Sequence, residues 1–169
     1  MKQVVKVALA VVLFVAVSGF AQAQSKTAHI NVTDLLSEMP EMKAAQAELK
    51  KLEETYRADI QSSMDELKNK FTQYNNEASS MSQEENQKRA LELQGFERNI
   101  GEAQQAAQQE LAKKQADLFE PISKKAKAAI EKVASAQGYE YVLDSSPGSG
   151  VIVATGKNLL TDVKQELGF

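Results

Sequence analysis

His29 is the only histidine in this 169-residue chain, and there is no cysteine. A zinc site usually draws on several His or Cys ligands, and a catalytic imidazole needs a nucleophile or orienting carboxylate beside it; neither accompanies His29. It is expected to face solvent or a neighbouring strand. The run Ser145-Ser146-Pro147-Gly148-Ser149-Gly150 is glycine-rich. It lacks the Lys-Ser/Thr ending of a phosphate loop and the glycine order of a dinucleotide fingerprint, so it reads as a loop connection. Thr155-Gly156-Lys157 is too short to be specific. Carboxylates are many, but they alternate with Lys and Arg as on solvent-facing helices. No catalytic, cofactor or metal site is read, and the missing cysteines exclude disulfides, a thiolate nucleophile and a lipidated cysteine. What remains is contact chemistry. Met42, Met64 and Met81 lie among small and polar residues, and methionine is flexible and polarizable, suited to many weak contacts. The alternative is that these side chains fill a helix seam, which is favoured for Met42 and Met64; Met81 stays open between the two.

These residues sit in a stretch from about Leu35 to Ala136 that has few helix breakers. One apolar stripe runs Leu35, Met39, Met42, Ala45, Leu49, Leu52, Tyr56, Ile60, Met64, Leu67, Phe71, Tyr74, Ala78, Met81. Its spacing averages about 3.5 residues, that of a coiled-coil seam, with a stutter of four-residue steps from Leu52 to Met64. A second stripe runs Leu93, Phe96, Ile100, Ala103, Ala107, Leu111, Lys114, Leu118, Ile122, Ala126, Ala129, Val133, Ala136. Between them is a polar break over Asn75–Ser82, and Ser82 with Glu85 fits a capping box at a new helix start. The chain is therefore expected to go out as one helix, turn within about 75–85, and return as another. Pro121 should kink the returning helix. The arm is placed at residues 41–120, each strut about 60 Å long. Gly95, Gly101 and the alanine-rich run Ala103–Gln109 make the seam thin, so Gly95, Gly101 and Pro121 are candidate hinges.

The N-terminus carries Lys2 and Lys6, an apolar run from Val7 to Val17, and small residues at Ala21 and Ala23. Residues 1–23 read as a cleaved signal peptide, with Ala21 and Ala23 as the cleavage positions. The run is too short to cross about 30 Å of hydrocarbon comfortably, so the mature protein is expected to be soluble outside the cytoplasm. Cleavage removes two lysines and no acids, leaving 18 basic and 23 acidic residues and a net charge near −5. That balance argues against nucleic acid as the main ligand.

Residues 24–40 and 121–169 are left for a small body. Thr27–Val32 alternates as a strand with Ala28, Ile30 and Val32 on one face. Thr33-Asp34 can cap the turn into Leu35-Leu36, and Pro40 and Glu41 suit the first turn of a helix. Gln137-Gly138 is a helix stop. Tyr139–Asp144 and Val151–Ala154 read as strands, Gly156-Lys157-Asn158 as a turn, and Thr161 or Asp162 as the cap of a last helix ending at Leu167. The fold class is thus mostly α with a small β body, carrying a long antiparallel coiled-coil hairpin arm. About 65 mature residues make a marginal core, so oligomerisation is expected. The candidate interface residues are Ile30, Val32, Tyr141, Leu143, Val151 and Val153.

This order of features resembles the Skp/OmpH family of periplasmic chaperones. The residues carrying the likeness are the signal peptide, AHINV running into LLSEMPEMKAAQAEL, the helical hairpin, LFEPISKKAKAAIEKVASAQGYEYVLD, and the closing segment ending NLLTDVKQEL. The resemblance implies a periplasmic homotrimer whose strands build a central trimerisation body. Three arms project from it like tentacles around a cavity that holds unfolded outer-membrane proteins without ATP. Candidate client contacts are Met64, Tyr74, Met81 and Phe96. The best-known members have positively charged arm tips. Here Lys70, Lys88 and Arg89 balance Glu77, Glu84 and Glu85 over residues 70–90, so contact with lipid or lipopolysaccharide stays open. The nearest basic cluster, Lys113, Lys114, Lys124, Lys125, Lys127 and Lys132, reads as a solvated helix face. The competing reading is an envelope coiled-coil scaffold or adaptor without chaperone activity; an enzyme lacks residues to carry it.

Overall fold

The computed structural model describes residues 26–169; the proposed signal peptide, with Ala21 and Ala23, lies outside the described residues. The elements are β1 (Thr27–Ile30), α1 (Val32–Glu38), α2 (Pro40–Glu77), a short 3-10 turn (Ala78–Ser80), α3 (Gln83–Ala136), β2 (Tyr141–Asp144), β3 (Lys157–Asn158) and α4 (Leu160–Leu167). The result is mostly helical with one small sheet.

The first strand is shorter than its alternation suggests. Asn31 leaves the strand and accepts a hydrogen bond at Oδ1 from the Asp34 amide at 3.0 Å, capping α1 in the manner favoured for Asn. Val32 is therefore the first residue of a helix and not a strand residue, and Asn31, not Thr33 or Asp34, is the cap. Ala28 and Ile30 point inward as expected and are both buried. α1 ends where Met39 takes the extended conformation that a following proline imposes. Pro40 then opens α2 at N1, where its missing N–H costs nothing.

α3 begins at Ser82, whose hydroxyl accepts from the Glu85 amide at 3.1 Å. It runs unbroken for 54 residues with Pro121 inside it. The proline deprives only the Asp117 carbonyl of its helical donor, and both residues face water. The segments expected on either side of Pro121 thus share one helix. At its far end the Gly138 amide donates to Ser135 O and the Tyr139 amide to Ala134 O. Gly138 sits at φ +71°, so this is the left-handed glycine stop anticipated at Gln137-Gly138.

The sheet is entirely parallel, with order β2-β1-β3. Thr27 pairs with Tyr141 and Ile30 with Asp144; Ala28 and His29 pair with Lys157 and Asn158. Parallel neighbours need a long crossover, and here the crossover between β1 and β2 is the two long helices themselves. Residues 151–154 form no strand. The third strand is Lys157–Asn158, where a turn was expected. α4 starts at Leu160, with Asn158 Oδ1 accepting from the Leu160 amide at 2.9 Å; neither Thr161 nor Asp162 caps it.

The core lies where α1, the start of α2, the end of α3 and α4 meet the sheet. It holds Ala28, Ile30, Leu35, Met39, Met42, Ala45, Ile122, Ala126, Ala129, Val133, Leu159 and Val163. Ile30, Leu35, Met39, Leu159 and Val163 are fully buried, each worth about 1.5–3 kcal/mol of transfer free energy. One buried polar residue, Ser146, ties the sheet to α1. Its hydroxyl lies 2.6 Å from Asp144 Oδ1, 2.9 Å from Asn31 Oδ1 and 3.0 Å from the Thr33 amide, which donates to it.

Candidate functional surface

α2 and α3 lie antiparallel. Glu41 pairs with Lys125, Glu48 with Lys114 at 2.7 Å and Lys70 with Glu92 at 2.9 Å; all three pairs are placed symmetrically about the turn near Met81–Gln83. The seam between the helices follows the expected stripe from Met42 through Ile60. Beyond that it slips by one residue: Ser63, Leu67, Lys70 and Tyr74 are half-buried, while Met64 and Phe71 stand exposed. Both courses alternate three- and four-residue steps and so keep the 3.5-residue average of a seam; they differ in phase, and the half-buried course is the one that begins with a three-residue step from Ile60 to Ser63. Met64 is therefore a surface residue and not seam filler, whereas Met42 is buried in the seam.

Near the turn, polar side chains close the pair. Tyr74 Oη donates to Glu92 Oε2 at 2.8 Å, and Lys70 Nζ donates to the other oxygen. Arg89 bonds Glu77 at 2.8 Å and Glu85 at 3.3 Å, with its guanidinium 4.6 Å from the Tyr74 ring centre. Lys70 stands 5.0 Å from the centre of the Phe96 ring. The hydrogen bonds from Lys70 and Tyr74 hold the Glu92 carboxyl below its ordinary value, and the bond to Glu92 raises Lys70 and Tyr74. Glu77 is lowered by Gln73 and Arg89. Tyr74 and Phe96 are thus engaged by partners within the helix pair, while Met64 and Met81 are open to solvent.

Between the clasp and the body, the seam opens into a cleft of about 560 Å³ whose walls include Tyr56, Ile60, Phe96, Ile100, Ala103 and Ala107. The sequence signal for it is the pair of small residues Ala103 and Ala107, which line it together with Tyr56 and Ile60 of α2. A side chain added at Gly95 or Gly101 would meet nothing within 4 Å.

The lysine cluster is largely ion-paired. Lys124 bonds Glu120 at 2.6 Å, Lys127 approaches Glu131 at 3.7 Å, and Lys132 bonds Glu166. With Lys114 and Lys125 on α2 carboxylates, little unbalanced positive charge is left on that face.

The remaining exposed apolar groups lie around the sheet. Tyr141 and Leu143 are exposed on the outer strand β2, and the loop before β3 presents Ile152 at 96% and Val153 at 75% exposure. Val151 is half-buried, and Val32 packs partly against the core. Ile30 is enclosed within its own chain at 1% exposure. Ile152 was not among the candidate interface residues, yet it is more exposed than Val153. His29 Nδ1 lies 3.1 Å from Ser145 Oγ on the neighbouring strand segment. Among the described residues no His, Asp and Glu side chains gather as a metal cage, and no helix is long and apolar enough to cross a membrane.

Comparison with known proteins places this architecture. A family model described as outer membrane protein (OmpH-like) matches residues 26–167. The chain is 23% identical over 155 residues to the chaperone protein Skp of Pectobacterium atrosepticum, covering 92% of this chain and 93% of that protein. It is 26% identical over 129 residues to the chaperone protein Skp of Vibrio cholerae, covering 75% of each. A solved structure of an OmpH-like protein from Caulobacter crescentus CB15, assigned as an outer membrane chaperone, superposes with a TM-score of 0.77 at 18% identity. The match covers 87% of this chain and 86% of that one, and it shows a shared fold. With the helix pair, the parallel sheet and nearly the whole described chain matched, this protein belongs to the OmpH-like outer membrane protein family.

Proposed function

We propose that this protein is a periplasmic, ATP-independent holdase chaperone that binds unfolded outer-membrane proteins. The observation that carries the reading is the helix pair itself, with helices of 38 and 54 residues joined by a thin seam. It leaves Met64 46%, Phe71 55% and Leu91 64% exposed. A client barrel strand before insertion carries alternating apolar side chains and unpaired backbone. Such a client is best held by a long surface of many weak contacts, which is what these helices offer. The names of the relatives support the same assignment.

In this reading the helix pair is an arm over residues 41–120, and three copies join through the sheet to enclose a cavity. Tyr141, Leu143, Ile152 and Val153 are the apolar groups available to a second chain, beside the free edge of β2. Ile30, spent within its own core, drops out of that set, and Val32 contributes from α1 instead of a strand.

Native mass spectrometry with and without a urea-unfolded outer-membrane protein tests assembly and client capture together, and light scattering tests suppression of client aggregation. A trimer that suppresses aggregation at parity with client is expected. A trimer that captures only a folded partner and never suppresses aggregation would mark a scaffold.

A further inference from the structure

The cleft between α2 and α3 has an apolar floor and an acidic mouth. Tyr56, Ile60, Phe96 and Ile100 supply the floor, and Asp59 and Glu110 stand at its edge. Some carboxylates along the same helices are paired, Glu48 with Lys114, Glu53 with Arg57, Glu54 with Lys50 and Glu102 with Arg98, and others, such as Glu66 and Glu97, lie outside the cleft. Among the described residues, the side chains of Asp59 and Glu110 have neither an ion-pair partner nor a hydrogen-bond donor; the one bond at Asp59 is accepted by its backbone carbonyl from Ser63. The mouth therefore carries uncompensated negative charge beside aromatic and aliphatic surface. A larger residue at Ala103, which lines the cleft, would fill the space.

We infer, resting on the chaperone reading, that this cleft receives an apolar side chain of an unfolded client that has a lysine or arginine next to it in sequence. The apolar group is desolvated against Ile60, Phe96 and Ile100, while an adjacent cation sits against either Asp59 or Glu110, beside the Tyr56 ring. The arms then select basic-apolar segments of the client, and the choice is made midway along the helices and away from the charge-balanced turn.

The test uses the full mature protein and three labelled, unstructured peptides of Gly and Ser. One carries Lys-Leu-Lys at its centre, one Glu-Leu-Glu and one Lys-Ser-Lys, with binding followed by fluorescence anisotropy. The Lys-Leu-Lys peptide should bind best. Asp59→Asn with Glu110→Gln should weaken it about fivefold, as two exposed charge contacts imply, and added salt should weaken it too. Ala103→Leu should fill the cleft and abolish the preference for leucine over serine, while the circular dichroism stays that of the parent. Equal binding of all three peptides overturns the inference, as does full Lys-Leu-Lys binding by the Ala103→Leu protein. No peptide binding by a protein that still suppresses client aggregation, the outcome if a second copy covers the cleft, also overturns it and leaves the chaperone reading intact. Peptide binding without any suppression would overturn that reading instead.

Discussion

Tyr74 and Glu92, eighteen residues apart in the chain, are joined by a 2.8 Å hydrogen bond that bridges the two long helices just before they turn. Glu92 also holds Lys70, so one carboxylate organises two side chains of the other helix. Its depressed titration sets the sign of the pH response. The folded carboxyl is lowered by Lys70 first and Tyr74 second, so its contribution is full above the ordinary glutamate value of about 4.3 and fades as pH falls through the lower folded value. Protection from hydrogen exchange over residues 70–92, corrected for the intrinsic pH dependence of exchange, should therefore fall below about pH 4. Glu92→Gln should remove its part of that acid sensitivity and leave the part due to Glu77. Protection that stays flat with pH across this segment would contradict the assignment.

Gly95 and Gly101 lie inside α3 with open space where a side chain would be. Converting both to alanine should stabilise the helix by about 1 kcal/mol per site, the ordinary propensity difference. Slower exchange along α3 from residue 90 to residue 107 would confirm that the glycines set the pliancy of the pair. Unchanged exchange would assign their role elsewhere.

Ser146 is the buried polar residue that joins the β2 end to the start of α1. Ser146→Ala leaves the Thr33 amide without its acceptor and removes one of the three donors to Asp144, and should cost about 1–3 kcal/mol. Urea denaturation measures it. Asp144 should respond as well. Burial opposes its charge, but bonds from the Ser146 hydroxyl and amide and the Val32 amide prevail and lower its carboxyl; in the alanine variant the carboxyl should titrate higher by NMR.

Tyr141 and Ile152 are the test of assembly. Each is solvent-exposed in the single chain, so a charge there costs the isolated fold little. Tyr141→Asp with Ile152→Asp should shift the protein toward monomer in sedimentation while its helical circular dichroism is retained. An unchanged sedimentation profile would place the contact between copies elsewhere. Ile30→Asp should instead unfold the chain, since that residue is internal.

Local signals made much of the fold legible. The two stripes, the Ser82–Glu85 start and the Gly138 stop could be read because each depends on residues within a few positions of one another. The early course of the seam was legible for the same reason. Its later course was not: apolar residues at 64 and 71 extended the stripe by eye, but the seam goes through Ser63 and Lys70, and Lys70 can be half-buried only because Glu92 and Phe96 meet it from the other helix. The cleft was anticipated only as a thin seam, because its lining, Asp59 on one side and Glu110 on the other, comes from two helices that only the fold sets side by side.

The amino-acid order alone determined that this chain makes two long helices with a turn near residue 82 and a small mixed body, since periodicity, capping and glycine stops act over one or two helical turns. The tertiary structure alone decided which segments are strands. Val151–Ala154 has the residue types for one, yet the parallel partner of β1 is Lys157–Asn158, and Val32 starts a helix capped by Asn31. Those choices rest on bonds between positions more than one hundred residues apart, such as Thr33 to Ser146, and no window along the chain contains both ends of such a bond.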